Sequence, residues 1–223
     1  MSERLGNFTS SGISALMKNG RKKGEPGAAF HNYVKEKRRE RLLGRSMSKE
    51  ATAAPLDWGN LCEQIAHDHI GLEYELVSKK RYKMAELPWS GMPDGLAGKK
   101  TVTDIKCPWT LTSFMDMVEC KTGEDLKAAK PEYYWQLISN AILTERYSCE
   151  LIVFMPKLAM MEEIKEASKE QGYFFHMKDD GALPWLPDAC DIDVITKIKF
   201  EATAEDCNAL TERVEMAAKL LRE

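Results

Sequence analysis

Pro93-Asp94-Gly95-Leu96-Ala97-Gly98-Lys99-Lys100-Thr101-Val102-Thr103-Asp104-Ile105-Lys106-Cys107-Pro108 is the stretch that decides the fold. Its two flanks read as strands of a hairpin closed by the three-residue loop Gly98-Lys99-Lys100. With that loop, residue 97 pairs with 101 and residue 94 with 104. Asp94 and Asp104 then stand opposite each other, with Cβ atoms roughly 4.5–5.5 Å apart. Two uncompensated carboxylates repel at that distance. Alternation along the second strand puts Asp104 and Lys106 on one face and turns Ile105 into the core.

Spacing leaves two readings of this patch open. In one, Pro-Asp-Gly is an ordinary turn signal and the charges form a surface cluster with Lys106 as counter-ion. In the other, Asp94 and Asp104 hold a divalent metal, with Lys106 beside an attacking water. Glu63, in Trp58-Gly59-Asn60-Leu61-Cys62-Glu63 on the preceding helix, either completes an oxygen-rich site or is an exposed helical glutamate. Gln136, within Tyr133-Tyr134-Trp135-Gln136, either reaches the site from the next helix or is an amide on a helix surface.

Working outward, hydroxyls before an apolar run predict a turn and a short N-capped helix over 8–17, a start that would present backbone N–H groups to an anion. Helices are expected over 30–43, 58–70 and 131–143, the last with Pro131 in its first turn. Strands are expected over 74–77, 89–96, 101–107 and 149–155, and another within 191–200. Thr203 is expected to cap a final helix whose Cys207, Leu210, Val214, Ala217 and Leu221 form one apolar stripe. The order describes an α/β fold with a mixed central sheet flanked by helices.

The 223 residues, 43% apolar and 30% charged, suit a soluble globular chain. No apolar run approaches the roughly 18 residues of a membrane span, and Met1 to Gly6 lacks the apolar core of a secretory signal. A cytoplasmic protein with no membrane partner is expected. Six cysteines without a CxxC pair speak against a zinc ribbon or a clustered iron–sulfur site and for reduced thiols. The net charge of −3 hides a split: residues 1–50 hold 12 Lys+Arg against 5 Asp+Glu, the remainder 20 against 30. Such a split suits a nuclease, because phosphates need cations and catalytic metals need carboxylates. The basic segment 18–45, a loop followed by a charged helix, reads as a solvated face or a phosphate-contacting surface. His67 and His69, two apart on a helix, point to different faces and do not share a metal. Trp89, Trp109 and Trp135 read as packing rather than as platforms for bases.

The ordered set of Glu63, Pro93-Asp94-Gly95, Asp104-Ile105-Lys106-Cys107-Pro108 and Tyr134-Trp135-Gln136 resembles the PD-(D/E)xK nuclease superfamily. With Trp58-Gly59, and Arg4-Leu5-Gly6 followed by Thr9 and Ser11, it is similar in particular to the phage lambda exonuclease-like (YqaJ-type) alkaline exonucleases, across roughly residues 1–155. The resemblance implies a restriction-endonuclease-like core forming a single nuclease domain over 1–223. Its parts would be a basic helical 1–57, a catalytic core 58–155 and a C-terminal strand and helix in 156–223. It implies a metal-dependent 5′-to-3′ exonuclease that digests one strand of linear double-stranded DNA from its ends and leaves a 3′ single-stranded tail for recombination by strand annealing. It further implies a homotrimeric ring, a single-strand annealing partner, the bacterial host cytoplasm and a phage or prophage origin.

The same resemblance implies two Mg²⁺ per site, with Mn²⁺ as an alternative. Asp94 would be the shared ligand, Asp104 and the Ile105 carbonyl would hold the nucleophile-side ion, and Glu63 the other. Lys106, its pKa lowered by the cations, would orient or deprotonate the water, and Gln136 would position the water or Lys106. Arg4 and Ser11 would bind the 5′-phosphate. Two departures stand out: Asp104 replaces the usual glutamate, and Met92 stands where the family pattern has a phosphate-holding serine. The rival readings are an iron–sulfur nuclease of the same superfamily and a noncatalytic DNA-binding protein on a nuclease scaffold.

Overall fold

A computed structural model of the chain describes residues 4–22, 24–47, 54–71, 74–77 and 80–222. It opens with β1 (Phe8–Thr9), a 3-10 turn (Ser10–Gly12) and α1 (Ser14–Met17), followed by α2 (Ala28–Leu43) and α3 (Ala54–Ile70). β2 (Tyr74–Leu76), β3 (Tyr82–Lys83), β4 (Trp89–Gly91), β5 (Gly95–Ala97) and β6 (Thr101–Lys106) come next, then α4 (Leu111–Val118), α5 (Gly123–Ala129) and α6 (Pro131–Thr144). β7 (Ser148–Phe154), α7 (Met161–Glu170), β8 (Ile195–Glu201) and α8 (Ala204–Arg222) complete the chain.

Five strands form the central sheet in the order β2-β5-β6-β7-β8. Only β6 and β7 pair in parallel, and α4, α5 and α6 make the crossover between them. β7 is buried on both faces and divides two cores: Leu151 and Val153 face one with residues of α6 and α8, while Ile152 and Phe154 face the other with α3 and α7. Continuous apolar character in Leu151-Ile152-Val153-Phe154 is what a strand covered on both sides requires.

The hairpin forms as its loop length predicts, with Ala97 opposite Thr101 and Gly95 opposite Thr103. Gly98 supplies the left-handed turn at φ 53°. The strand expected over 89–96, however, is two strands. Pro93 has no N–H to give to a ladder, so the chain breaks there. β4 joins a separate three-stranded sheet, parallel to β1 and antiparallel to β3, and β5 joins the central one. Met92-Pro93-Asp94 is therefore the crossing between two sheets.

Other departures have local causes. Ser10 and Ser11 do not cap a helix: the 3-10 turn and the four-residue α1 carry no side-chain cap. Ser10 instead turns inward, 2.8 Å from Ser139 Oγ, which also accepts the Trp89 indole N–H at 2.8 Å. This buried trio ties the N-terminal turn and the small sheet to α6. α4 and α5 were not expected, although Thr122 and Asp125 form a complete capping box at the start of α5. α7 is a further helix in the C-terminal part, beyond the strand and helix anticipated there. Thr203 does cap α8, accepting from the Asp206 N–H at 3.1 Å, while Asp206 takes Tyr134 and Lys127 at 2.7 Å each.

One of the five basic residues of α2, Lys37, is turned inward. Lys37 and Glu40 are buried as a pair at 3.1 Å, leaving Lys35, Arg38 and Arg39 on the exposed face. Trp89 and Trp135 are buried, and Trp109 packs edge-on to Trp58 at 5.6 Å, so all three serve packing. The six cysteines are free thiols; Cys62 and Cys149 are fully enclosed, and burial pushes the pKa of both upward. Among the described residues no helix is long and apolar enough to cross a membrane.

Candidate active site

The site lies where β6 outruns its neighbour. β5 starts only at Gly95, so beyond Thr103 the edge of β6 meets no β5 backbone, and the Asp94 side chain takes over: its Oδ2 accepts the Ile105 N–H at 2.8 Å. Both backbone groups of a strand residue face one edge, so the Ile105 carbonyl opens on the same side as Asp94. The Ile105 side chain is buried in the core under α3, as alternation predicts.

Asp104 is fully buried. Gln136, one turn into α6, donates its amide to Asp104 Oδ1 at 2.9 Å, and the Lys106 ammonium pairs with Asp104 Oδ2. Lys106 also lies 5.3 Å from the centre of the Tyr133 ring. Tyr133 is a site residue that the motif reading missed. Its position three before Gln136 was the available signal, because residues so spaced share a helix face.

Electrostatics bind these groups together. Burial pushes the Glu63 carboxyl up to about 7, the negative charge of Asp94 adds to the rise, and Lys106 partly offsets it. Burial likewise drives Asp104 well above the usual carboxylate range against the pull of Lys106, with Asp94 pushing it further. Lys106 moves up rather than down: burial would lower it, but Asp104 and Asp94 together outweigh that effect. That rise comes from the neighbouring carboxylates alone; the lowering that the resemblance implies belongs to the protein with its cations bound.

Three carboxylates and one backbone carbonyl make an all-oxygen donor set, which fits a hard divalent cation such as magnesium. The acids outnumber the single lysine, and burial disfavours the charged forms of Glu63 and Asp104, a cost that such a cation would offset. Among the described residues no three His, Cys, Asp or Glu side chains are drawn together as a ready cage. Asp104 spends both oxygens on Gln136 and Lys106, and Asp94 spends one on Ile105.

Arg4 and Ser11 stand apart from this cluster. Arg4 is exposed in a turn, and the next residues are held to α2 through the Gly6 N–H to Glu40 at 3.2 Å and Arg41 Nε to the Gly6 carbonyl at 2.8 Å. Ser11 is exposed, 3.3 Å from the Thr9 hydroxyl. Among the described residues no hydrogen bond or ion pair joins either to the carboxylates. The His69 and Phe154 rings stack with their centres 6.3 Å apart.

A mixed sheet with acidic residues and a lysine at one end of its central hairpin, helices covering both faces, is the restriction-endonuclease-like architecture. Solved exonucleases share it. The phage-related exonuclease from Haemophilus somnus 129PT superposes with a TM-score of 0.68 at 18% identity, over 96% of this chain and 93% of that one. The alkaline exonuclease LHK-Exo from Laribacter hongkongensis superposes with a TM-score of 0.59 at 19% identity, over 98% and 91%; its complex with dAMP gives 0.59 at 20% over the same shares. At these identities the likeness is one of fold. No curated protein matches the chain. The family is given by sequence: the YqaJ-like viral recombinase domain matches residues 1–147, and the chain belongs to that family.

Proposed function

We propose that the chain is a metal-dependent 5′-to-3′ exonuclease of linear duplex DNA that leaves a 3′ single-stranded tail for strand annealing. The observation that supports it most is the union of Asp94, Asp104 and Lys106 at one end of β6 in a member of this family. Glu63, Asp94, Asp104 and the Ile105 carbonyl would hold the metal. When bound, magnesium or manganese ions supply Lewis-acid stabilisation of the attacking and leaving oxygens of the phosphodiester. Lys106, which pairs with Asp104, would orient the attacking water and handle its proton. Gln136 fixes Asp104 Oδ1, and so acts on the carboxylate rather than on Lys106.

The deciding experiment is digestion of an end-labelled duplex with Mg²⁺ or with EDTA. A 5′ label should be released first, and only with Mg²⁺. Earlier release of a 3′ label would reverse the proposed polarity, and binding without hydrolysis would leave only a DNA-binding scaffold.

Arg4 and Ser11 are proposed to receive the terminal 5′-phosphate. A charge-assisted hydrogen bond contributes about 1.5–3 kcal/mol, so Arg4→Ala should lower the ratio of rates on 5′-phosphorylated over 5′-hydroxyl ends by about tenfold to a hundredfold. An unchanged ratio would remove Arg4 from the pocket. Assembly is proposed as a ring of three, which keeps a net acidic chain on a polyanion without strong contacts at any one point. Sedimentation should give three times 25.3 kDa, and a monomer at micromolar concentration would rule the ring out. A single-strand annealing protein is the partner expected to receive the tail.

A further inference from the structure

Lys106 is held from two sides, and only one of them belongs to the motif. Its ammonium pairs with Asp104, whose other oxygen takes the Gln136 amide. Its second neighbour is the ring of Tyr133, with the nitrogen 5.3 Å from the ring centre. Helix and strand match in spacing here. Tyr133 and Gln136 stand three apart on one face of α6, about 5–6 Å from each other, while Asp104 and Lys106 stand two apart on one face of β6, about 6.6 Å from each other. Gln136 thus meets Asp104 and Tyr133 meets Lys106, in step. Among the described residues the ammonium has no acceptor besides the Asp104 carboxylate.

The aim of the Tyr133 ring is set by its neighbours. Pro131 opens the first turn of α6, and the Tyr133 N–H closes onto the Lys130 carbonyl at 3.1 Å. Tyr134 and Trp135, next in sequence, are buried; Tyr134 stacks on Phe200 of β8 at 5.0 Å and donates its hydroxyl to Asp206 of α8 at 2.7 Å. With those two side chains locked, the helix cannot roll. The Tyr133 hydroxyl makes no hydrogen bond among the described residues, so what Tyr133 offers Lys106 is its ring. An aromatic face attracts an ammonium within about 6 Å of its centre, more strongly where water is kept away, and the Lys106 side chain is only 20% exposed. A free lysine stem samples many rotamers, whereas a group that handles a proton must stay within hydrogen-bond reach of it. The hold of the ring draws on none of the carboxylate charge, so it persists whatever else the carboxylates bind.

We propose that Tyr133 is a positioning residue for hydrolysis: its ring holds the Lys106 ammonium where that group meets the attacking water. This rests on the exonuclease reading above, and the test separates the two. Wild type, Tyr133→Phe and Tyr133→Leu are compared for kcat and KM on linear duplex DNA in Mg²⁺, with thermal melting as the check on folding. Tyr133→Phe keeps the ring and should stay within about twofold of wild type, whereas Tyr133→Leu should lower kcat by about tenfold to thirtyfold with KM little changed. The contact itself is read without catalysis, by NMR of metal-free protein carrying isotope-labelled lysine. A ring face shifts the Lys106 ε-methylene signal upfield; the shifted signal should be present in wild type and Tyr133→Phe and missing from Tyr133→Leu and Lys106→Met. Wild-type kcat in a folded Tyr133→Leu protein, or a Tyr133→Phe protein as slow as Tyr133→Leu, overturns the role of the ring. So does a wild-type spectrum without the shifted signal, whether or not the leucine variant folds. Should the wild type leave duplex DNA uncut in Mg²⁺, the exonuclease reading falls, and the spectra still decide whether the ring holds the ammonium.

Discussion

Asp94→Asn is expected to abolish hydrolysis of linear duplex DNA, by about a thousandfold or more, in a protein that remains folded. The asparagine oxygen can still accept the Ile105 N–H, so the end of β6 keeps its cap. What is lost is the negative charge facing the proposed cations. That same charge contributes to the raised pKa of Glu63, after burial, and to that of Asp104. Removing it should bring both carboxyls down while giving up an attraction for Lys106, so the two effects on the fold oppose each other. Label release from a 5′-tagged duplex measures the effect, alongside the melting temperature. A folded Asp94→Asn protein digesting at the wild-type rate would refute the assignment of Asp94 as a ligand.

Lys106→Met should lower turnover by about a hundredfold to ten-thousandfold, the range of a positioned acid or base, while DNA binding persists. Methionine has a stem of similar length and packs well on an aromatic ring, so the contact with Tyr133 is retained in kind. The ammonium that pairs with the fully buried Asp104 is not. Breaking a buried pair by removing one partner leaves the other charge uncompensated, so the variant should melt lower than wild type in EDTA. Added Mg²⁺ should recover part of that loss through Asp104. Unimpaired turnover would show that the water is activated elsewhere.

The heart of this site was legible because it depends on counting. A three-residue loop at Gly98 fixes which residues oppose each other, and alternation then fixes the faces of Asp104, Ile105 and Lys106. The crossing at Met92-Pro93-Asp94 was less so. The apolar run on both sides of Pro93 looks like one strand, and only the missing N–H argues otherwise. Long helices announced themselves by their extent, whereas α4 and α5, of eight and seven residues, are too short to show more than about two turns of a stripe and are betrayed mainly by their caps at Thr110 and Thr122. For Lys106 the resemblance implies a lowering by bound cations, and the opposing upward push of Asp104 and Asp94 was not legible in it. A motif names the ligands but not the charge that they carry before the ion arrives.

The enclosed thiols bear on how any of these variants is judged. Thiolate is the species that alkylating reagents attack, and Cys62 and Cys149, wholly shielded with their pKa values pushed up by burial, offer neither access nor thiolate. Cys62 lies in the core under α3, one residue before Glu63, while Cys149 lies on β7 in the core on the opposite face. Between them they act as two built-in reporters of unfolding, one on each side of the sheet, so alkylation followed by mass spectrometry distinguishes an intact but inert nuclease from one whose scaffold has opened, and identifies the layer that gave way.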